Sequence, residues 1–565
     1  MFAAQNQEPS ILDALGSNVT DWYNTIDEGL RKSDIVPGTY EYTNHVSYGN
    51  VGAIPEGEST MLDIQLNRFC VASLDNSYVT VQQTLPITPK STTALKDAKV
   101  VGDGVYYAGY EYSAEVFDNY DIQSNADRIQ SVPHANYEWF LLRNSVQPEA
   151  KEESEHYATL AKIRRRDPRV PGVYVDLSKL DKNTEFKAKL DLKVPLNSFL
   201  LFRQLRYLLS SFGTLTLTVT PSYKNLVIAP AFDPSSVDSI INMGKQTPLA
   251  AKAIVNYYKE HSRELDFGFH NLNQPFNQLL NTHVAAKLNS NKDAIEPENN
   301  TVSHEAITFA CSTQVSDKIE LHTAYYMLQM DVFNSISARY QQIPLIFPIQ
   351  KIESKEFATP LDSEEHIDTG LTVQLRHADG MAVVFKKDLN SHSCFENPQI
   401  KYQFNIDGKT FPRQEYATVD DLRTINQTLD YLNFNNLATT SIDKDLSNSL
   451  QPYTKILPFA AGGGNHEKPT AMYTSGDRSN FMIGIPFADG CDFQGGISTN
   501  GTIQIQLKGT RLDYGGNESV KYLRPEAIFT EDAILKIRTV KPPGSPQISI
   551  TNASIEQVIA AAGAV

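Results

Sequence analysis

The sequence predicts a protein dominated by β structure and built as two tandem β-sandwiches. Many short runs along its 565 residues alternate between apolar and polar side chains, which is typical of a strand with one face in a core and one face in water. Turn-forming Gly, Pro, Asn and Asp residues separate these runs, as they do in sandwiches and barrels. A similar order of strands and turns recurs once, which indicates two copies of one unit.

The composition is that of an ordinary globular protein, with 41% hydrophobic and 21% charged residues. The length is sufficient for two to four domains, each with its own core. Its 27 Tyr and 26 Phe far outnumber its 2 Trp, and together with abundant Thr, Val and Ile they favour strands over helices.

The formal net charge of -16 makes the chain acidic. Proteins that coat nucleic acid by direct contact are usually basic, because they bind by neutralising phosphates. We therefore expect little direct contact with nucleic acid, whereas the acidity favours solubility before any assembly.

The four cysteines are widely separated and none has CxxC spacing: Cys70, Cys311, Cys394 and Cys491. This spacing predicts reduced thiols in a cytosolic or nuclear setting rather than a disulfide framework or a zinc site. The N-terminal residues lack the charged and apolar regions of a secretory signal. No segment approaches the roughly 20 apolar residues that a membrane-spanning helix needs.

Residues 1–49 are interpreted as an N-terminal arm. Within it, residues 10–32 have apolar side chains at helix-like spacing, and Ser10 is a suitable N-cap. The first sandwich is predicted at residues 50–232. Its alternating runs include Leu62–Leu66, Tyr78–Gln82, Phe186–Val194 and Leu215–Val219.

Residues 233–320 interrupt the alternating pattern and are interpreted as a partly helical connection. The second sandwich is predicted at residues 321–545, and residues 546–565 form a C-terminal tail. The predicted elements of the second sandwich are a strand Leu371–Leu375, a turn at Asp379–Gly380, a return strand Met381–Phe385, a second turn at Ile406–Gly408, a helix Asp420–Leu432 and a strand Ile503–Leu507.

The internal repeat rests on two passages with the same order of features. In the first, a strand ends at Pro195, and Gly213 precedes the alternating strand Leu215–Val219. In the second, a strand ends at Pro486, and Gly501 precedes Ile503–Leu507, at an offset of about 290 residues. Proline can end a strand, and glycine permits an unusual turn before the next one.

An earlier pair of runs extends this alignment. Ser77–Gln82 aligns with Thr369–Gln374 at almost the same offset. The duplication predicts that the two halves superpose with Pro195 on Pro486.

At these residues the chain resembles the double jelly-roll major capsid proteins, a lineage that includes adenovirus hexon, tailless double-stranded DNA phages, large nucleocytoplasmic DNA viruses, virophages and Polinton elements. Lys193–Phe199 leading to Phe212–Val219 is similar to two consecutive strands of that family. Leu74–Val81 resembles an early strand of its first jelly roll, and Asn136–Leu142 resembles a short helix in a long loop.

The resemblance covers most of residues 50–545, with one departure. Phe199–Phe202 stands where Polinton and virophage proteins commonly have a Phe-Gly-Phe pattern. The sequence therefore assigns no virus group.

The resemblance implies an all-β fold of two tandem jelly-roll β-sandwiches, with short helices in the arm, connection and loops. It implies a non-enzymatic major capsid protein whose homotrimers are pseudo-hexagonal capsomers of an icosahedral double-stranded DNA virus shell. The implied partners are further copies of the chain, neighbouring capsomers, penton proteins and minor capsid proteins. The implied location is the virion, after synthesis in the host cytoplasm or nucleus, with the N-terminal arm inside the shell.

Two groups of residues are candidate binding sites. The basic run Lys162–Arg169 is either a patch that faces packaged DNA or a solvated loop balanced by Glu152–Glu155, and the second reading is favoured. His261 and His270 lie near acidic residues but lack HExxH spacing, so no metal ligands are assigned.

Three further patterns carry weaker signals. Gly462–Asn465 lacks the Gly-Lys-Ser/Thr that completes a phosphate loop, and Glu364–Glu365 would serve a glycosidase only across a cleft. Ala560–Val565 inserts into a neighbour, borders a processing site or is a disordered end. No catalytic, cofactor-binding or metal-binding residues and no cofactor are predicted.

Two alternatives to a shell protein stay open at this point. One is a multi-sandwich module that binds carbohydrate or another protein. The other is a β-sandwich hydrolase, which would require carboxylates converging in a cleft.

Overall fold

The fold was analysed in a computed structural model. It describes residues 22–26, 46–50, 54–55, 57–64, 69–88, 105–124, 127–146, 148–159, 162–163, 166–176, 186–230, 270–271, 308–309, 314–342, 345–361, 365–386, 395, 397–418, 421–434, 481–487, 497, 499, 501–512, 522–538 and 547–551.

Strands dominate the described residues. In chain order they are β1 Val46–Asn50, β2 Ile54–Pro55, β3 Thr60–Ile64, β4 Cys70–Thr88, β5 Val105–Gly109, β6 Phe117–Ser124, β7 Asp127–Val132, β8 Gly172–Asp176, β9 Phe186–Pro195, β10 Tyr207–Leu209, β11 Leu215–Pro221, β12 Val227–Pro230, β13 His270–Asn271, β14 Thr308–Phe309, β15 Gln314–Ser316, β16 Lys318–Met327, β17 Leu345–Glu356, β18 His366–Val373, β19 Ala378–Val384, β20 Ile400–Ile406, β21 Lys409–Ala417, β22 Ile483–Pro486, β23 Ile503–Arg511, β24 Glu526–Arg538 and β25 Gln547–Thr551.

The helices are short and lie between strands. They are α1 Ala135–Ser145, α2 Pro148–Glu153, α3 Leu200–Gln204, α4 Met330–Gln342 and α5 Leu422–Phe434. Residues 22–26 are also helical and are called the arm helix below.

Eight strands form the first sandwich. Numbered one to eight along the chain, they are β1, β3, β4, β6, β7, β9, β11 and β16. They pair in two antiparallel sheets with the orders 1-8-3-6 and 2-7-4-5. Two four-stranded sheets connected in this way are a jelly roll.

The second sandwich repeats this topology. Its eight strands are β17 to β24, and they pair in the same two orders, 1-8-3-6 and 2-7-4-5. The predicted fold class is confirmed: the described residues form two tandem jelly rolls. Because strand order is independent of sequence similarity, it supports the duplication more strongly than the short sequence matches.

The repeat is confirmed in one part and wrong in another. Pro195 and Pro486 both end strand six of their sandwich, and strand seven follows in both. However, Ser77–Gln82 belongs to strand three, whereas Thr369–Gln374 covers strand two. That alignment matched two alternating runs of similar composition, and alternation alone does not distinguish neighbouring strands.

The boundary between the sandwiches differs from the prediction. Strand β16, which was divided between the connection and the second sandwich, pairs with β4 and β1 and is the eighth strand of the first sandwich. The segment that joins the sandwiches is therefore residues 328–344, which contain helix α4. The first sandwich also begins earlier, since β1 lies within the predicted arm.

Residues 233–317 of the predicted connection consequently lie between strands seven and eight of the first jelly roll, and its last three residues belong to strand eight. Their predicted helical content falls outside the described residues, which here include the short strands β13, β14 and β15. In the predicted tail, β25 pairs with the end of β24 and extends its sheet.

Two predicted turns have different outcomes. At Ile406–Gly408 the chain turns tightly, with φ angles of 49° at Asp407 and 80° at Gly408, as expected for a two-residue hairpin. The other turn places its positive φ, 56°, on His377 instead of Gly380. Gly380 lies inside β19, where it gives room to a neighbouring helix.

Helix α5 confirms the helix predicted at Asp420–Leu432. Asp421 caps it, because its Oδ1 accepts a hydrogen bond of 3.1 Å from the backbone N–H of Arg423. Tyr431 of this helix lies directly over two glycines of the sheet, Gly380 and Gly484. Helix and sheet can approach this closely because neither glycine carries a side chain.

Helix α4 is amphipathic, and one of its faces is buried. Its buried residues Phe333, Ile336 and Tyr340 recur at helical spacing. Trp22 of the arm helix is fully buried beside it, with its ring centroid 4.8 Å from that of Tyr340 and 5.5 Å from that of Phe212. The predicted arm helix is thus confirmed at residues 22–26, and the rest of residues 10–32 lies outside the described residues.

We predict that Gly380→Ala destabilises the protein by about 1–3 kcal/mol, the usual cost of overpacking a well-filled core. A Cβ atom there would lie 2.7 Å from Cδ2 of Tyr431 and 2.8 Å from the carbonyl oxygen of Ile485. Denaturant unfolding at fixed protein concentration measures the change. Gly501→Ala is the matched control, because no atom lies within 4 Å of its Cβ position; equal losses in both variants would contradict the prediction.

Candidate functional site at the joint of the two sandwiches

Helix α1 bridges the two sandwiches, and its contacts are called the joint below. The helix follows strand five of the first jelly roll. The ring of Phe140 meets Phe395 of the second sandwich edge to face, with centroids 4.6 Å apart. Tyr137 stacks on the same ring at 6.1 Å. One apolar core cluster accordingly includes residues of both sandwiches.

A charged group completes this side of the joint. The Nζ atom of Lys386 lies 2.7 Å from Oε2 of Glu526, and the hydroxyl of Tyr137 donates a hydrogen bond to the same oxygen. The Lys386 Nζ also lies 5.0 Å from the centroid of the Tyr137 ring. The side chains of Glu526 and Lys386 are only 6% and 15% exposed, so each charge depends on its partner.

Three buried carboxyl groups lie on or against helix α1 and are called the carboxyl cluster below: Glu138 is part of the helix, and Glu111 and Glu115 contact its Arg143. Nη1 of Arg143 lies 2.7 Å from Oε1 of Glu115 and also contacts Glu111. Glu138 accepts hydrogen bonds from the Tyr120 hydroxyl at 2.7 Å and from the backbone N–H of Leu200 at 3.0 Å.

Burial dominates the titration of these acids. It raises the pKa of Glu138 to about 7, although the two hydrogen bonds lower it. Burial also raises the pKa of Glu115, against a smaller lowering effect from the Tyr112 backbone N–H. Both shifts follow from the cost of placing a carboxylate where water is excluded.

The first residue of the basic run Lys162–Arg169 does not lie on the surface. Lys162 is fully buried, and its Nζ donates to the backbone carbonyls of Lys151, Ser154 and Tyr157. At the other end, Arg169 Nη2 pairs with Asp167 at 2.7 Å. The described part of the run thus packs against the segment before it, and at Lys162 it is neither a solvated loop nor an exposed patch.

The faces of the sheets differ in what covers them. Along β18, β20 and β23, exposed or half-exposed residues alternate with buried ones, so the outer face of this sheet is accessible to solvent. In the first sandwich, Lys187, Lys189 and Lys193 are exposed on one face of β9. Lysines on an exposed edge strand oppose uncontrolled strand pairing.

Several large apolar side chains are exposed in this single chain. They are Met61, Met327, Met330, Leu422 and Leu512, with exposed fractions between 43% and 67%. Met327 and Met330 flank the start of helix α4. The sequence did not distinguish them from core residues, because it shows composition but not which face of an element points outward.

Two aspartates form a direct pair on the second sandwich. Asp532 of β24 lies opposite Gln350 of the neighbouring strand β17. On the other side of β24, the pairing with β19 shifts in register between Ala378 and Gly380, and Asp379 lies at this shift. A hydrogen bond joins the two carboxyl groups, and burial followed by the charge of Asp532 raises the pKa of Asp379. Such a directly bonded pair differs from the separated carboxylates, about 5 Å or more apart, of glycosidases.

The remaining sequence candidates fall largely outside the described residues. These are His261, Gly462–Asn465, Glu364 and the tail Ala560–Val565. His270 is in β13, and Glu365 is exposed next to β18. Among the described residues no group of three or more His, Cys, Asp or Glu is arranged to hold a metal.

In the described part of the chain, no helix has the length and hydropathy of a membrane span. Of the cysteines, Cys70 is a buried thiol. The other three lie outside the described residues.

No family model matches the chain, and no curated protein matches it. Among solved structures it is similar to the mavirus major capsid protein, with 10% identity, 92% of each chain covered and a TM-score of 0.49. It is also similar to the cryo-EM structure of the Sputnik virophage, with 10% identity, 92% and 90% coverage and a TM-score of 0.45. For the PBCV-1 virus capsid the values are 9%, 90% and 97%, and 0.38.

The double jelly-roll fold itself is established by the strand order of the two sandwiches.

We predict that Lys386→Met destabilises the protein by about 3 kcal/mol, because it leaves the buried Glu526 carboxylate without its cation. The double variant Lys386→Met/Glu526→Leu should recover much of this loss, since it removes both charges. Denaturant unfolding of the single and double variants forms a double-mutant cycle.

Lys193→Met is the matched control for this cycle. Lys193 pairs with Glu155 at 2.5 Å, but the two side chains are 45% and 49% exposed, so the loss should stay below about 1 kcal/mol. A loss at Lys386 no larger than that at Lys193 would show that the charged group does not hold the joint.

We also predict that Asp379→Asn stabilises the protein increasingly as the pH rises above 3.8, the ordinary value for aspartate. Because the folded chain raises the pKa of Asp379, it keeps a proton that the unfolded chain loses, and stability falls with pH across this interval. The variant should gain at least about 1.4 kcal/mol at pH 8, the equivalent of one pKa unit. Unfolding at several pH values tests this, with the exposed Asp368→Asn as control; parallel profiles of variant and parent would refute it.

Proposed function

We propose that the protein is a major capsid protein whose trimers are pseudo-hexagonal capsomers of an icosahedral double-stranded DNA virus shell. The observation that carries this proposal is the presence of two jelly rolls of identical strand order in one chain. Three such chains around a threefold axis place six similar sandwiches in a ring. This arrangement gives an almost sixfold outline from a threefold oligomer.

The joint supports the proposal because a regular outline requires a fixed orientation of the two sandwiches. Phe140 and Tyr137 of the first sandwich contact Phe395 and Glu526 of the second in a buried, mainly apolar interface. An interface of this kind holds domains in one relative position, whereas small polar interfaces permit domain motion.

The surface of the chain is consistent with self-association. Among the described residues, five large apolar side chains are exposed in the isolated chain, and contacts within permanent oligomers are more apolar than the rest of a protein surface. We propose further copies of the chain as the main partner, with penton and minor capsid proteins as additional partners. The virion is the proposed location.

Little direct contact with the genome is part of the proposal. The chain is acidic overall, with a net charge of -16, and in the described part of its basic run Lys162 is buried and Arg169 is paired with Asp167. Its affinity for DNA should therefore be weak at physiological salt.

The proposal predicts that the purified protein is a stable trimer. Light scattering coupled to gel filtration should give three times the chain mass over a wide concentration range. Negative-stain microscopy should show particles of hexagonal outline, and at higher concentration hexagonal arrays or shells.

A strictly monomeric protein would contradict this function. If that monomer bound glycans on an array, the carbohydrate-binding alternative would replace it. Hydrolysis of a glycan or ester substrate that is lost in Asp379→Asn would instead favour the hydrolase alternative.

A further inference from the structure

The contact between the two sandwiches of one chain uses a different surface on each of them. The first sandwich contributes helix α1, which lies between its strands five and six and packs on Phe395 of the second. In the second sandwich, Leu535 and Ile537 at the end of strand eight belong to the core shared with the first. In a closed ring of sandwiches each member needs both kinds of surface, because it has a neighbour on either side.

The end of strand eight in the first sandwich carries exposed apolar side chains. Met327 is the last residue of β16, and Met330 is the first residue of helix α4. Both side chains are more than half exposed. Because only two residues separate them, their Cα atoms lie at most about 11 Å apart. Met327 and Met330 are called the methionine patch below.

The helix between strands five and six of the second sandwich also begins with an exposed apolar residue, Leu422. A second exposed leucine, Leu512, lies nearby. The backbone N–H of Leu512 donates to the carbonyl oxygen of Gln399 at 2.8 Å, and the next residue, Ile400, accepts a bond of 2.8 Å from the N–H of Thr418. Leu422 follows Thr418 by four residues, so both leucines lie at this end of the sandwich. They are called the leucine patch below.

We propose that the methionine patch of one copy packs against the leucine patch of the next copy, so that the trimer is held by a head-to-tail contact between the first sandwich of one chain and the second sandwich of another. This inference rests on the proposed capsid function and names the surfaces that build its trimer. Contacts between two different patches of the same chain close into a ring when the rotation between copies permits it.

The chemistry of the two patches is complementary. Methionine side chains are unbranched and adaptable, so they fill the gaps between branched leucine side chains. The residues that follow Met330 and Leu422 carry opposite charges. Asp331 is exposed. Arg423 binds Asp421 through Nε and Nη2, at 2.9 and 2.8 Å, and its Nη1 takes part in neither bond. Opposite charges at the rim of an apolar contact orient the two partners.

Charged substitutions in either patch test the proposal. Met330→Glu and Leu422→Glu each place a carboxylate in the apolar contact, so each should raise the Kd of the trimer at least about 30-fold, the effect of losing one residue that dominates an interface. Sedimentation equilibrium over a range of concentrations measures the change. The matched control is Met61→Glu, because Met61 is similarly exposed but lies on strand β3, outside both patches.

The outcomes for the unmodified protein and the variants are distinguishable. If the unmodified protein is a trimer and either patch variant keeps its full trimer affinity, the inference is overturned and the proposed function stands. If the unmodified protein is a monomer, the proposed function itself fails. Unchanged denaturant unfolding of the variant chains shows that a lost trimer reflects the contact and not the fold.

Mixing the two variants separates a head-to-tail contact from a contact of like with like. Met330→Glu retains the leucine patch, and Leu422→Glu retains the methionine patch. One sound contact can therefore form between them, and the mixture should contain dimers of one chain of each kind but no trimers. If each patch instead bound its own kind, each variant alone would form dimers through its remaining patch, and the proposal would be overturned.

A crosslink tests the contact in a protein that keeps its trimer. The double variant Met330→Cys/Leu422→Cys, treated with a short bismaleimide, should give covalently linked species that end at three chains. Met61→Cys/Leu422→Cys measures the background from the native cysteines. Links within single chains only, or no excess of linked trimer over this background, would show that the two patches do not meet.

Discussion

The structure depends on one sheet whose two faces are both buried. In the 1-8-3-6 sheet of the second sandwich, every residue from Pro525 to Glu531 is buried. On one face, Phe529 packs in the core of the second sandwich. On the other, Ile528 belongs to the core that also contains most of the first sandwich. A sheet covered on both sides favours continuous apolar residues over alternation, and β22 with its neighbours has the same feature.

This constraint explains where the charged groups of the joint lie. Glu526 is the first residue of β24, the strand that lies between the two cores, so its carboxylate has little contact with bulk water. Lys386 and Tyr137 satisfy it from the second and first sandwich respectively. The group contributes more to the relative placement of the sandwiches than to total stability, because apolar residues of equal volume would be similarly stable.

The sequence predicted the fold class because strands with one solvent-exposed face have alternating apolar and polar side chains. β9, β11 and β23 alternate in sequence and in burial, and all three were predicted. The strands of the doubly covered sheet were harder to assign, since Ala527–Glu531 has no period-two pattern. The connection was misplaced for a related reason: β16 follows a long insertion between strands seven and eight, and its partner β4 lies more than 200 residues earlier.

The joint could be predicted only in part. The aromatic segment Asn136–Leu142 was recognised as a helix, but its partner Phe395 follows from tertiary structure alone. The sequence did not indicate the carboxyl cluster, since Glu111, Glu115 and Glu138 cannot be distinguished in it from the many surface acids of an acidic chain. Lys162 was grouped with the basic residues around it, although it is buried and bonded to three carbonyls. Burial decides the role of each of these residues, and burial depends on contacts between distant parts of the chain.

The two sandwiches have the same strand order, but the helix between strands five and six packs differently in each. Each carries a helix between strands five and six, α1 in the first and α5 in the second. Helix α5 packs on its own sheet, where Gly380 and Gly484 admit Tyr431. Helix α1 instead reaches the second sandwich through Phe140 and Tyr137. Both helices belong to one continuous core, so the second sandwich packs against its own helix and that of its neighbour. A duplicated unit can therefore become an asymmetric pair without any change in strand order, because divergence within one loop is enough to create the joint.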